Sequence, residues 1–273
     1  MGETAKRIAT AAVLVPLLLL AIFYDPTHWS VVGIACLFAA GALDEYLRMA
    51  LPVSADDRAV GLRVVMAALC LAIVILPSVY SMGEVMPPLL TGSVVVLGFT
   101  VLARKRQLPD GGRHFGVMLS GLLYVPVLMS VLPLLKRAGE AEWLAITLCM
   151  AFFSDTGAYF AGRSLGKHKL YPAVSPGKTV EGSVGGILGA CLATVGVGAM
   201  WAIPTLPLWH AVLLGVAASV CGQMGDLVES MLKRTFAVKD SGNLLPGHGG
   251  MLDRIDALLF VAPVAYYYIA LVG

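Results

Sequence analysis

At 273 residues, with 58% hydrophobic and only 13% charged side chains, the chain falls well short of the roughly 25% charged content of soluble domains. Its mean hydropathy of +0.84 excludes an ordinary water-soluble fold. A net charge of +2, with lysines and arginines in short clusters between apolar runs, argues against a nucleic-acid partner. The expectation is an all-α integral membrane protein.

A bilayer core about 30 Å thick needs roughly 20 apolar residues per helix. Nine segments qualify: Ile8 to Tyr24, Trp29 to Leu43, Leu62 to Tyr80, Val85 to Leu102, Phe115 to Leu135, Trp143 to Ala161, Gly182 to Ile203, Trp209 to Leu232, and Ala257 to Val272. The first follows Lys6 and Arg7 as a signal peptide would, but no small-residue cleavage site precedes Asp25-Pro26, so it is expected to remain as a span. The second ends early at Asp44 and Glu45, two carboxylates expected to be solvated or paired with Arg48.

Alternate loops carry seventeen of the nineteen lysines and arginines, leaving Lys136 and Arg137 for the opposite side. By the positive-inside rule this predicts an N-in, C-out bundle of about nine helices, with Trp29, Trp143 and Trp209 as interfacial anchors. No fixed-period repeat or linker divides the chain, so residues 1–273 read as one domain, with less diagnostic spans in 1–140 and the polar loops in 141–273. The five cysteines, in apolar runs without C-x-x-C spacing, read as small core residues.

A carboxylate inside a span costs about 2.5–3.5 kcal/mol on insertion scales, so such groups are paired, cavity-facing or functional. Asp226, in the eighth expected span, shares a face with Gln223, Glu229 and Ser230. By itself it is equally explained as an interhelical contact. Asp155, in "FFSDTGAY", precedes the polar segment from Gly162 to Gly182, whose Gly177-Lys178-Thr179 resembles a P-loop ending. That pattern fails, because its first glycine would fall at Pro172 and no strand is expected before it. Arg163, Lys167, Lys169 and Lys178 still suit polyphosphate.

A second polar stretch, "SMLKRTFAVKDSGNLLPGHGGMLDRID" from Ser230 to Asp256, joins the last two spans. Asp253 and Asp256 lie one helical turn apart, and paired carboxylates of this kind suit magnesium, which takes oxygen ligands from one or two carboxylates and from substrate phosphates. His248 has no second nitrogen or sulfur ligand beside it, so it reads as a phosphate contact or a structural residue, not a zinc ligand. Carboxylates for metal, cations for phosphate and a membrane setting point to phosphoryl or nucleotidyl transfer onto a lipid.

The stretch from Ser230-x-Leu232-Lys233-Arg234 through Lys239-Asp240, Gly242, Leu245-Pro246 and His248-Gly249-Gly250-Met251 to Asp253-Arg254-Ile255-Asp256 resembles the signature of the phosphatidate cytidylyltransferases, also called CDP-diacylglycerol synthases. "SDTGAYFAGRSLGKHKL" followed by "SPGKTVEG" is similar to that family's other typical region. The resemblance implies a magnesium-dependent enzyme of phospholipid biosynthesis, possessing a many-helix fold, that joins CTP and phosphatidic acid into CDP-diacylglycerol and pyrophosphate. It also implies a homodimer that uses magnesium, with room for a second cation; together with the lysine and arginine asymmetry, the active site is expected to face the cytoplasm from the cell inner membrane. Asp226 and Asp256, with Asp253 beside them, match the family's metal-binding aspartates. Lys239 joins these three as a catalytic candidate, and Asp155, Arg163, Lys167, Ser175, Lys178, Lys233, Arg234, His248 and Arg254 are substrate-binding candidates. The expected lipid entry is a cavity between the sixth, eighth and ninth spans.

Two other readings fit part of the pattern. A CTP-dependent polyprenol or dolichol kinase would move the γ-phosphoryl group, and an ion-coupled secondary transporter would need carboxylates within spans. Transport predicts inverted-repeat halves, which the sequence lacks.

Overall fold

The computed structural model describes residues 16–51, 58–103, 108–244 and 249–272. After a helical stretch at residues 16–23 come α1 (Trp29–Ala50), α2 (Arg58–Val79), α3 (Met82–Ala103), α4 (Leu108–Leu122) and a π-helical segment, Leu123–Val127. There follow α5 (Val131–Leu165), a hairpin of β1 (Lys169–Tyr171) and β2 (Ser175–Thr179), α6 (Val180–Leu192) continued by a π-helical Ala193–Ala202, α7 (Leu208–Thr235) and α8 (Leu252–Val272).

Eight helical segments among the described residues are long and apolar enough to cross a membrane, and they coincide with the second to ninth expected spans. The chain is a multi-pass, predominantly helical membrane protein. Residues 8–15 of the expected first span, Ile8 to Tyr24, lie outside the described residues, as does His248. Hydroxyls inside the spans are satisfied locally: Ser93, Thr100, Thr147 and Thr194 each donate to the carbonyl four residues back. In lipid no water offers an alternative partner.

The expectation of an all-α polytopic bundle holds in its coarse form, and two details differ from it. The all-α expectation omits the antiparallel hairpin, which pairs Lys169 with Thr179 and Tyr171 with Ser175. Pro172 and Pro176 deny that segment a helix, since proline lacks the N–H and clashes with the preceding turn. The segment around Lys136 and Arg137, expected as a loop between spans, is helical throughout α5. Its leucines, alanines, glutamates, Lys136 and Arg137 are good helix formers, and the single glycine does not outweigh them.

The chain forms two compact units. The first draws on Asp25–Leu134 and Asp240–Asp253. Its centre is α1, which packs on α2, α4 and the π-helical segment through Ala35, Ala39 and Ala42, all essentially inaccessible. The start of α1 is held by Asp25, whose carboxylate accepts from the backbone N–H of Thr27 (2.8 Å) and Ser30 (2.9 Å). The Ser30 and Thr27 side chains, followed by these backbone N–H groups, stabilise the charged form and hold the Asp25 carboxyl well below the usual carboxylate range.

The second unit draws on Leu135–Lys239 and Arg254–Gly273. Here α6 packs on α7, and its glycines let it approach α5 closely. A Cβ at Gly182, Gly185 or Gly189 would run into Ala158, Gly157 or Phe153 of α5. These glycines serve packing within the protomer. On α7, Gly222 and Gly225 leave room in the same way for Ala257, Val261 and Phe260 of α8. All five cysteines are free, and Cys70 is buried.

Candidate active site

Within the second unit, α5, α7 and α8 each contribute one aspartate to a common region. Asp155 lies within electrostatic reach of Asp226 and of Lys178. Asp256 is within reach of both of those aspartates and of Lys233. Asp226 forms the best-defined contact, its Oδ2 lying 2.7 Å from Lys178 Nζ, while Ser230 Oγ donates to its Oδ1 at 3.3 Å. The Asp226 and Lys178 side chains are 35% and 23% exposed, so this pair can exchange partners with solutes.

The hairpin delivers Lys178. Its strand β2 ends at Thr179, whose Oγ1 accepts from the Gly182 N–H at 3.1 Å and so caps α6. Thus Gly177-Lys178-Thr179 is a strand end leading into a helix cap. Three contacts fix the hairpin in place. Glu181 accepts from the backbone N–H groups of Lys167 and His168 and lies 2.6 Å from His168 Nδ1. Lys169 Nζ donates to the Pro176 carbonyl at 2.8 Å, and Arg234 Nε donates to the Val174 carbonyl at 3.4 Å.

Further along α7, Lys233 Nζ lies 2.5 Å from Oε2 of the buried Glu229. With its side chain 14% exposed, Lys233 compensates a buried charge and adds positive potential towards Asp256. Arg234 and Lys239 are exposed at the helix end and in the bend beyond it. The helix ends in a Schellman pattern: Val238 N–H donates to the Lys233 carbonyl and Ala237 N–H to that of Arg234, with Ala237 at φ 55°. Below the aspartates, Gln223 bridges helices, accepting from Ser183 Oγ (2.5 Å) and donating to Ser219 Oγ (2.9 Å), which in turn lies 2.8 Å from Ser154 Oγ.

A separate cluster belongs to the first unit. Asp253, in the first turn of α8, accepts through Oδ2 from Ser241 N–H (3.1 Å), Ser241 Oγ (2.9 Å) and Gly250 N–H (3.0 Å). This oxygen orders the loop. Glu45 Oε2 accepts from Ser241 Oγ (3.1 Å) and Leu252 N–H (3.0 Å). Glu45 is 1% exposed, contrary to the expectation that it would be solvated or share Arg48. Asp44 alone takes Arg48, at 2.7 Å, with Arg63 at 3.6 Å.

The structure therefore brings together Asp155, Lys178, Asp226, Asp256 and Lys233. Arg163 and Lys167 are exposed, Arg163 donating to the Tyr159 hydroxyl at 2.8 Å. Ser175 opens β2, and Arg254 is exposed in the first turn of α8. Sequence reasoning missed Glu45, Ser241 and Glu181. Glu45 had left a sign: once Asp44 is assigned to Arg48 at i,i+4, Glu45 faces Gly41, Ala42 and Met49.

Among the described residues no group of three or more His, Cys, Asp or Glu side chains is arranged to hold a metal ion. What is present is an oxygen-only set in which Asp155, Asp226 and Asp256 repel one another and one lysine is bound directly. Such a set fits a hard divalent cation that completes its shell with substrate oxygens and water.

The profile of the cytidylyltransferase family matches residues 5–272. The phosphatidate cytidylyltransferase of Bacillus subtilis (strain 168) is 37% identical over 237 residues, covering 84% of this chain and 85% of that protein. Those of Staphylococcus haemolyticus and Staphylococcus epidermidis are 37% identical over 207 residues and 39% over 204, covering 73% and 72% of this chain and 76% and 75% of theirs. With a match over nearly its whole length, the chain belongs to the cytidylyltransferase family.

Proposed function

We propose that this protein is a membrane nucleotidyltransferase that transfers the cytidylyl group of CTP to phosphatidic acid, giving CDP-diacylglycerol and pyrophosphate. The observation that carries the reading is the grouping of Asp155, Lys178, Asp226 and Asp256 on membrane-spanning helices and their hairpin, in a chain of this family. A phosphate oxygen of phosphatidic acid forms a bond to the α-phosphorus of CTP, and the bond from that phosphorus to the bridging oxygen breaks, releasing pyrophosphate. The nucleophile is already an anion at neutral pH. No general base is required, which accounts for a site made of carboxylates and lysines.

Asp226 and Asp256 are the residues that would hold magnesium. When bound, the ion supplies charge neutralisation for the phosphates and the leaving group. Lys178 is held ready by Asp226 at 2.7 Å; an arriving triphosphate competes for its ammonium and draws it onto phosphate oxygen. Arg234 and Lys239 add positive charge at the water-facing end of α7. Asp253, whose Oδ2 takes three donors from the loop, orders the signature segment before it serves any other role. Phosphatidic acid reaches the aspartates laterally from the bilayer between α5, α7 and α8. The loop after α7 faces the cytoplasm in the inner membrane, with the N-terminus on the same side, and the functional form is a homodimer.

The test is product identity. Purified protein in mixed micelles with phosphatidic acid, magnesium and CTP labelled in the α-phosphate should yield chloroform-soluble label. Label entering lipid only from the γ-phosphate would replace this reading with a lipid kinase.

A further inference from the structure

The apolar first half of the chain looks like a membrane anchor, but Glu45 gives it a part in the signature loop. Its carboxylate, at the end of α1, is 1% exposed and accepts hydrogen bonds from Ser241 Oγ at 3.1 Å and Leu252 N–H at 3.0 Å, across 196 and 207 residues of sequence. Leu252 opens α8, and the first N–H groups of a helix have no partner within it. Glu45 is thus an N-terminal cap for α8 supplied from another helix.

The loop is shaped around this carboxylate. A Cβ at Gly242 would overlap Glu45 Oε1 and Cδ, and one at Gly250 would overlap Glu45 Oε2 and Ser241 Oγ. Both glycines belong to the signature, and both are explained by the space the carboxylate takes. Ser241 Oγ has one proton and two carboxylate acceptors within reach, Glu45 Oε2 at 3.1 Å and Asp253 Oδ2 at 2.9 Å. This hydroxyl joins the two acids into one clasp. Oε1 of Glu45 is buried and has no hydrogen-bond partner among the described residues. Burying a charged oxygen without full compensation lowers stability, so a residue selected for stability alone would not be a glutamate.

We propose that Glu45 is a positioning residue for the cytidylyl transfer: it fixes Ser241, Gly242, Gly250 and the start of α8 at Leu252, and thereby the readiness of both ends of the loop for the nucleotide. The kinetic consequence rests on the function proposed above; the clasp does not. From Ser241 to Leu252 the loop carries no acid or base other than His248 and follows the cations Arg234 and Lys239, so the substrate affected is CTP, with phosphatidic acid largely spared.

Hydrogen exchange by mass spectrometry and two-substrate kinetics on the purified full-length protein test this. Glu45→Ala should raise amide exchange across residues 241–252 by at least about tenfold, leave α7 protected, and raise KM for CTP about tenfold with KM for phosphatidic acid changed less than twofold, one decade corresponding to about 1.4 kcal/mol. Glu45→Gln, which keeps an acceptor oxygen, should restore most of both. Gly242→Ala, which intrudes on the carboxylate, should reproduce Glu45→Ala. Unchanged exchange in 241–252, an equal rise in both KM values, or loss of protection throughout the chain in both Glu45→Ala and Gly242→Ala would overturn the proposal. A wild-type protein that makes no labelled lipid but shows Glu45-dependent protection would remove the proposed function and leave the clasp standing.

Discussion

Asp226 and Glu45 are both carboxylates on membrane-spanning helices, and they are held in opposite ways. Asp226 is about one-third exposed, grips a lysine at 2.7 Å and shares its region with two more aspartates. Glu45 is buried, is ion-paired to no cation among the described residues, and accepts through Oε2 from a hydroxyl and a backbone N–H. A half-exposed ion pair contributes little to stability, about 0–1 kcal/mol, and its members can trade partners when phosphate or metal arrives. A buried acceptor bonded to backbone cannot be exchanged without undoing the loop. One cluster is suited to binding and releasing, the other to holding still.

The largest expected effect separates these roles. Asp226→Asn and Asp256→Asn should each lower kcat by at least about 10³-fold, about 4 kcal/mol in the barrier, while the amount of protein in the membrane and its Tm stay near wild type. A fully active Asp226→Asn would show that this cluster is merely interhelical packing. Lys178→Gln should follow, with kcat/KM for CTP down about 100-fold and little change in Tm, measured by steady-state kinetics and a thermal shift assay.

The holding cluster should answer differently. Gly250→Ala intrudes on Glu45 and Ser241 and should raise exchange locally in the loop, with an intermediate loss of CTP affinity of about tenfold; a change in turnover without a change in exchange would blur the distinction. Two substitutions outside both clusters set the floor. Ala237→Gly relieves a left-handed backbone at φ 55° and should raise Tm, by about 0.5–1 kcal/mol of stability, with activity unchanged.

Asp25→Asn should change activity less than twofold, because Asp25 caps α1 and belongs to neither cluster. Its depressed carboxyl also gives a sign to test. A lowered folded-state value means that the charged cap stabilises above the usual carboxylate range. The stabilisation is lost as pH falls through that range towards the depressed value, so the wild-type advantage over Asp25→Asn in Tm should be present at neutral pH and vanish in strong acid.

Much of the molecule is legible in the sequence, and the legible parts share a cause. Spans are set by the thickness of hydrocarbon, so length and hydropathy alone place eight of them where the structure has helices. Asp155 and Asp226 stand out because a carboxylate in a span is expensive. Glu45 did not stand out, because at a span end water is an equally good partner; only a chain segment more than 190 residues away makes it a buried acceptor. The hairpin was missed for a related reason. Its strands are three and five residues long, too short to show a period, and their pairing depends on anchors at Glu181 and Arg234.

By itself, then, the sequence determined the solvent, the place of most helices and the family signature, and it singled out the carboxylates inside spans as candidates, since each depends on local composition or on a contiguous motif. Tertiary structure decided which carboxylates are partly exposed and ion-paired and which are buried and bonded to the loop. It placed Lys178 on Asp226, turned the α6 glycines onto α5, and gave Asp253 to the loop. The physical reason is that a carboxylate's role follows from its donors and its exposure, and both are supplied by residues remote in the chain.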